Sequence, residues 1–318
     1  MTDTKTSATT SAAPAGSKET VRTQIIESLA DLRAWRAQTG SLWLKGQKAA
    51  KETRGGADSP RIGFVPTMGA LHQGHLELVK RAKADCDVVV VSIFVNPFQF
   101  APHEDFDRYP RTLANDMQLM AEAGVDVVFA PSEAELYPEP QTCLVDPGPI
   151  ATGLEGEFRP GFFRGVATVV SKLFHIVEPD VAVFGKKDYQ QLQVIRHMVR
   201  QLQLRVNIIA GETARAHDGL ALSSRNGYLS EREREEAPRL YRTLRTCAQG
   251  LRDRSASIEN LELHAVANLR QNRWRPDYVR ICDQTTLAPA TDATRHLVIL
   301  AAAHLGQTRL IDNLEVDR

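Results

Sequence analysis

Apolar runs that are β-branched almost from end to end constrain this chain more than any other feature. "CDVVVVSIFVN", from Cys86 to Asn96, shows no polar alternation, as expected of a strand covered on both faces. "RIGFVPT", "VDVVFAP", "DVAVFG" and "RVNIIAGE" read as further buried strands. Amphipathic segments separate them. "HLELVKRAKAD" turns Leu76, Val79 and Ala82 inward, "TLANDMQLMAEAG" closes on a glycine, and "GVATVVSKLFHIVEP" ends at Pro179. "DYQQLQVIRHMVRQLQL" is also helical, and Ile26, Leu29, Leu32 and Trp35 predict a helix over 23–39. Strand and helix in alternation predict βαβ units, a parallel sheet and right-handed connections. Ligands of such sheets bind at the carboxyl ends of the strands.

The pattern changes after residue 213. "SEREREEAPRLYRTLRTCAQGLRDR" reads as one charged amphipathic helix and "SIENLELHAVANLRQN" as another. "DYVRICD", "HLVILAAAHL" and "TRLIDNLEV" read as a small sheet. The expected organisation is a tail over 1–22, an α/β domain over 23–213 and a smaller α+β domain over 214–318. "KGQKAAKETRGGADSP" reads as a surface insertion. The tail is Thr/Ser/Ala-rich, lacks the apolar core of a signal peptide, and is expected to be disordered. Asp3, Glu19 and the scarcity of Arg there argue against a transit peptide.

Lys plus Arg equals Asp plus Glu, 39 of each, which speaks against a general nucleic-acid binder. Any anionic ligand must then meet a local cluster of donors. Cys86, Cys143, Cys247 and Cys282 have no metal-type spacing and are expected to be reduced, in a cytoplasmic protein. No apolar stretch suggests a membrane span.

The motifs that carry chemistry follow strands. In "PTMGALHQGH" a loop leaves a strand and enters a helix, with Gly69 and Gly74 letting the backbone approach a ligand. Free N–H groups at the helix start favour an anion. His72 and His75 stand beside them, and three roles are open: helix capping, metal binding or phosphate handling. No nearby Cys, Asp or Glu completes a zinc set, which weakens the second. In "ALSSRNGYLS", two hydroxyls and the Arg225 fork suit a phosphate, or a solvated loop. In "FGKKDYQQL", Lys187 can reach phosphate, Asp188 a ribose hydroxyl and Gln191 a polar substrate, or the segment is a surface helix start. Gln99 in "NPFQF" follows a buried strand, where an amide needs a partner. Asp116 in "RYPRTLANDM" could sit near a metal–phosphate group or be an ordinary helix carboxylate.

The HxGH and SSRN segments together resemble the nucleotidylyltransferase superfamily, whose members attack the α-phosphate of ATP. "PTMGALHQGH", "SIFVNPFQF", "YPRT", "LEGEFRPG", "GKKDYQQL" and "LSSRN", in that order, closely resemble the pantothenate synthetase (pantoate–β-alanine ligase) family. The resemblance runs from about Ile62 to Val316. It implies a Rossmann-like domain with a smaller C-terminal lid, usually as a homodimer, and ATP-dependent joining of pantoate to β-alanine through a pantoyl adenylate, with Mg²⁺. It implies His75 as proton donor with His72 on the phosphates, and Met68, Gly69, Ala70, Leu71, His72, Gln73, Gly74 and His75 as the first ATP segment. Gly185, Lys186, Lys187 and Asp188 become the ribose and phosphate segment, with Lys187 on phosphate. Ala214 meets adenine, while Leu222, Ser223, Ser224 and Arg225 form the second phosphate segment. Gln99 and Gln191 hold pantoate, Gln99 beside β-alanine, and Asp116 is associated with Mg²⁺. The chain departs from the family pattern at Leu222 (Met is typical), Ala214 (Val is common), Asn115 (often acidic) and Phe162 (His is expected). The nearest rival is a nucleotidylyltransferase acting on a phosphate acceptor. A non-catalytic ATP-binding regulator is a second, and a metallohydrolase a third.

Overall fold

The computed structural model describes residues 23–46, 59–102 and 104–318. In chain order the first part comprises β1 (Gln24–Ile26), α1 (Leu29–Gly46), β2 (Ile62–Thr67), α2 (Gln73–Asp85), β3 (Val88–Ile93), α3 (Leu113–Glu122), β4 (Val127–Phe129), α4 (Glu133–Leu136), α5 (Glu155–Phe158), α6 (Phe162–Val177), β5 (Val181–Gly185), α7 (Tyr189–Gln201) and β6 (Asn207–Gly211). The remainder comprises α8 (Glu231–Glu236), α9 (Arg239–Asp253), α10 (Ile258–Gln271), β7 (Arg275–Asp283), β8 (His296–Leu305) and β9 (Thr308–Asp317).

Six strands form one sheet in the order β1-β4-β3-β2-β5-β6, and every pairing in it is parallel. The β-branched runs are buried on both faces, as their composition requires. Along β3, Val90 joins the core under α6 and α7, while Val89 and Val91 join the core under α2 and α3. That is the two-residue period of a strand serving two layers. From β2 the chain builds outward to β3 and β4, then returns to place β5 on β2's other side. The carboxyl ends of β2 and β5 therefore flank the switch point, the crevice where ligands of open α/β sheets bind.

Two sequence expectations change. Residues 23–39 are not one helix: Gln24–Ile26 is an edge strand on Val127–Phe129, and the helix begins only after Ser28, whose Oγ accepts from the Asp31 N–H. A three-residue strand with one buried side chain, Ile26, carries too little pattern to outweigh the helical spacing. The charged segment from Ser230 is two helices, α8 and α9, because Pro238 has no N–H to continue the first and instead starts the second. The 1–22 tail and most of the 45–60 insertion lie outside the described residues.

The small sheet is an antiparallel meander, β7-β8-β9, covered by α9 and α10 around Leu244, Leu251, Leu269 and Ile299. It docks on the large domain through an apolar seam, where Tyr189 of α7 clusters with Tyr278, Val298 and Leu300, flanked by charge. Arg309 grips both oxygens of Glu155 on α5 at 2.7 Å, and the Tyr278 hydroxyl donates to Glu155 at 2.8 Å. On the other side of the seam, Lys186 pairs with Glu315 on β9 and with Glu212.

Candidate active site

The turn after β2 is built by two left-handed residues, Gly69 (φ +81°) and Ala70 (φ +50°). A side chain at 69 would also crowd Ile93 and Asp116. Ala70 in this region carries roughly 1–2 kcal/mol of strain, and Asp116 is what holds it. Asp116 is fully buried, and its carboxylate accepts from Ala70 N–H (3.1 Å), Leu71 N–H (2.8 Å) and the Thr112 hydroxyl (3.2 Å). Successive N–H groups in such a turn form an anion-binding nest, and the anion here is the protein's own carboxylate. Oδ2 takes two of these donors and Oδ1 one, so the Asp116 carboxylate is the support of the first motif.

The turn delivers His72 to the N-cap of α2. Its Nδ1 accepts from the Gly74 N–H at 3.1 Å, while Nδ1 of His75 accepts from the His72 N–H at 3.2 Å. A Cβ at Gly74 would stand 2.9 Å from the His72 ring, so only glycine admits this cap. Backbone N–H groups are donors without ambiguity, and they settle the tautomer: both imidazoles carry their proton on Nε2. The capping and phosphate readings of the histidine pair are thus compatible, one nitrogen serving each. The rings lie 4.2 Å apart. Burial, with Lys187 nearby, lowers His72 to about 4; burial, then His72 and Lys187, lowers His75 to about 3. Among the described residues no three His, Cys, Asp or Glu side chains converge on a metal position, so the zinc reading finds no third ligand.

These values have a testable consequence. An unfolded histidine takes up its proton as pH falls through about 6.5, but these two do so only near 4 and 3 in the folded protein. Between those limits the unfolded state binds more protons, so the pair withdraws stability as pH drops from 6.5 toward 4. In ¹⁵N NMR of the free protein both rings are expected to stay Nε2-protonated and neutral down to pH 5. The fall in Tm over that window is expected to be shallower in His75→Gln. A midpoint near 6.5 for either ring would contradict the assignment.

Both rings line a cleft of about 220 Å³ that continues past Lys187, Asp188 and Gln191 into an interdomain cavity of about 340 Å³. Together they fall in the size range of small-molecule sites. Met68, Gly74, Gln99, Gly185, Ala214, Leu222, Ser223, Ser224 and Arg225 share the first wall. Gly69, Ala70, Leu71, Gln73 and Lys186 are not in it. Gln73 is exposed and donates to Glu77, while the Lys186 ammonium sits between Glu212 and Glu315. Lys187 faces the cleft, with the Asp188 carboxylate beside it at 3.4 Å. The two glutamines of the "DYQQ" run also divide: Gln190 is buried against the backbone of Ile150, Gly153 and Glu155, and Gln191 faces the cleft.

Gln99 follows β3 in a short 3₁₀ turn, and its environment was hidden in the sequence. Asn96, fully buried, accepts on Oδ1 from the Phe98 N–H and the Tyr137 hydroxyl. Its amide nitrogen donates to the Gly165 carbonyl and to Gln99 Oε1. The two backbone partners orient Asn96, and Asn96 orients Gln99, whose NH₂ is left for the cleft. Gln99 therefore turns donors rather than an acceptor toward the cleft. Arg159 donates to the Gln99 carbonyl at 3.0 Å and is held by both oxygens of Glu104. Its guanidinium lies 3.6 Å from the Phe162 ring centroid, which gives the departure at 162 a physical role as a face for that cation. Asn96 and Arg159 are the residues sequence reasoning passed over. The available signals were an amide directly after a buried strand and an arginine beside Pro160 in a loop.

The Leu222–Arg225 segment is tied to its surroundings by side-chain hydrogen bonds. Ser223 caps a 3₁₀ turn by accepting from the Arg225 N–H, and Ser224 shares a hydrogen bond with the Tyr109 hydroxyl. Nε and Nη2 of Arg225 both donate to Asp105, at 3.1 and 2.8 Å.

Comparisons with known proteins point to one family. The sequence profile of the family described as pantoate-beta-alanine ligase matches residues 24–315. A pantothenate synthetase of Leptothrix cholodnii is 55% identical over 300 residues, covering 92% of this chain and 99% of that protein. One of Nitrosospira multiformis is 56% identical over 255 residues, covering 80% and 91%. The crystal structure of pantothenate synthetase from Thermus thermophilus superposes with a TM-score of 0.81 at 44% identity, covering 92% and 99%. A pantoate-beta-alanine ligase from Francisella tularensis, complexed with beta-gamma ATP and beta-alanine, gives 0.74 at 34% identity, covering 92% and 97%.

Proposed function

The chain belongs to the pantoate-beta-alanine ligase family, and from that premise we propose how its cleft performs the reaction. The enzyme condenses pantoate with β-alanine at the expense of ATP, releasing AMP and pyrophosphate. A carboxylate is a poor acyl donor, so the pantoate carboxylate attacks the α-phosphate, the bond to pyrophosphate breaks, and a pantoyl adenylate forms. The β-alanine amine then attacks the acyl carbon and AMP leaves with its electron pair.

The observation that carries this reading is one cleft at the switch point shared by two Nδ1-locked imidazoles, Lys187, Gln99 and Gln191. Nε2–H of His72 and His75 donates to the phosphate oxygens, and His75 meets the charge that grows on the departing pyrophosphate. Lys187 adds a full positive charge there, and Asp188 accepts from the ribose. Gln99, with its NH₂ toward the cleft, and Gln191 hold the pantoate oxygens. Arg225 reaches the phosphates by exchanging the Asp105 carboxylate for them, with the segment from 214 to 318 acting as the lid. Mg²⁺, which the family resemblance implies, would be associated with Asp116, whose Oδ1 accepts a single hydrogen bond. The same resemblance supports a homodimer and a cytoplasmic location; among the described residues no helix is long and apolar enough to cross a membrane.

Pyrophosphate exchange tests the reading against a phosphate-acceptor transferase. Labelled pyrophosphate is expected to enter ATP only when pantoate is present, with no need for β-alanine, and AMP release is expected to need both. Exchange driven by a phosphorylated acceptor instead would overturn it.

A further inference from the structure

Strand β9 of the small sheet carries two adjacent buried polar residues, Asp312 (4% exposed) and Asn313 (5%). Neither belongs to a motif of the large domain, yet Asn313 acts on it directly and Asp312 supports Asn313. The Asn313 amide nitrogen donates to two successive carbonyls, Lys186 O and Lys187 O, each at 2.8 Å. Its two hydrogens thereby hold the 3₁₀ turn from which the Lys187 side chain departs. The Asn313 main chain is fixed in turn: its N–H donates to Asp312 Oδ1, and its carbonyl accepts from Arg215 at 3.2 Å. Arg215 grips both oxygens of Asp312 at 2.7 and 2.8 Å and lies 3.7 Å from the Tyr241 ring centroid.

Arg215 is also tied to the other phosphate segment. It donates to the Gly219 carbonyl and forms a β-bridge with Ala221. The next residue, Leu222, donates its N–H to Ala214. A continuous chain of contacts thus runs from the turn at Lys187, through Asn313, Asp312 and Arg215, to the start of Leu222–Arg225. Only a side chain of this length with two N–H donors can satisfy both carbonyls; aspartate would turn lone pairs toward them.

We propose that Asn313, seated by the Arg215–Asp312 pair, is a positioning residue that aims Lys187 at the triphosphate and sets its register with the Leu222–Arg225 segment. The proposal rests on the assignment of Lys187 to the phosphates. Small misplacements of a charge-stabilising group are costly in rate, on the order of 10²-fold for about 1 Å.

The test is pantoate-dependent pyrophosphate exchange with ATP and pantoate varied separately, on full-length Asn313→Asp and Lys187→Ala, with Tm recorded for each. Asn313→Asp is expected to raise the KM for ATP about tenfold or more and to lower kcat, with the pantoate KM within about threefold of wild type. A purely architectural role would lower Tm and the folded yield but leave the ATP KM of the folded fraction unchanged, and that result overturns the proposal. If Asn313→Asp does not fold, Arg215→Lys makes the same test: it keeps the cation and loses the planar fork, and a wild-type ATP KM there is equally fatal. A defective Lys187→Ala beside a normal Asn313→Asp removes only the role of Asn313. A normal Lys187→Ala removes the assignment of Lys187 and the proposal with it.

Discussion

His75→Ala is expected to lower kcat for pantothenate formation by roughly 10²–10⁴-fold, the usual scale for a group that donates to a reacting centre. The size follows from where the ring is held. Its Nδ1 is occupied by the His72 N–H, so the ring cannot turn without giving up the cap of α2. Nε2–H is consequently presented to the cleft in one tautomer and one orientation. A donor fixed before the substrate arrives needs no reorganisation when charge develops, which is why such groups have large effects. The substitution also removes a capping interaction, with a stability loss of about 1 kcal/mol. Rate and stability separate in practice: His75→Asn, which retains a short polar side chain, is expected to recover much of the Tm and little of the rate. A kcat within a few-fold of wild type would remove His75 from the reaction. Because burial, then His72 and Lys187, lower the free imidazole to about 3, kcat/KM is not expected to show a histidine ionisation between pH 5 and 8.

Lys187→Ala and Lys186→Ala, adjacent in sequence, are expected to diverge. Lys187 faces the cleft near the two histidines, and its loss should lower kcat by about 10²–10³-fold, as for removal of a donor aimed at developing charge. Lys186 is committed to Glu212 and Glu315 across the seam between the sheets. Its loss should leave kcat within about threefold and lower the Tm, as expected when a charged hydrogen-bonding partner worth about 1–3 kcal/mol is removed. Steady-state kinetics and thermal melts of both variants measure this directly. Equal losses of rate would mean that the turn, rather than the Lys187 ammonium, is what matters.

Much of this architecture was legible in the sequence because its cause is local. The runs around Val88–Ile93 and Val181–Gly185 are β-branched because they are buried on two faces, and the helices between them show their apolar stripe. The position of the cleft followed from the same alternation, since the histidine, glutamine and lysine motifs each come just after a strand. What was not legible depends on partners distant in sequence. The Gln24–Ile26 strand is defined by Val127–Phe129, about a hundred residues on. The support that Asp116 gives the first motif was hidden, because a carboxylate's partners cannot be seen in a linear motif; the Ala70 and Leu71 N–H groups lie 46 and 45 residues upstream. The Asp105–Arg225 latch spans 120 residues, and Asn313 stands 126 residues from Lys187. In each case the short motif announced the functional end of an interaction and was silent about the support.

Adenylation of a carboxylate in this cleft is recorded in where the oxygen atoms of pantoate end up. With pantoate labelled by ¹⁸O in its carboxylate, one labelled oxygen becomes the bridge to the α-phosphate and departs when the amine attacks the acyl carbon. Mass spectrometry of a complete turnover is expected to find one ¹⁸O in AMP, one in the amide of pantothenate and none in pyrophosphate. Unlabelled AMP alongside labelled pyrophosphate would place the attack on another phosphate and contradict the account.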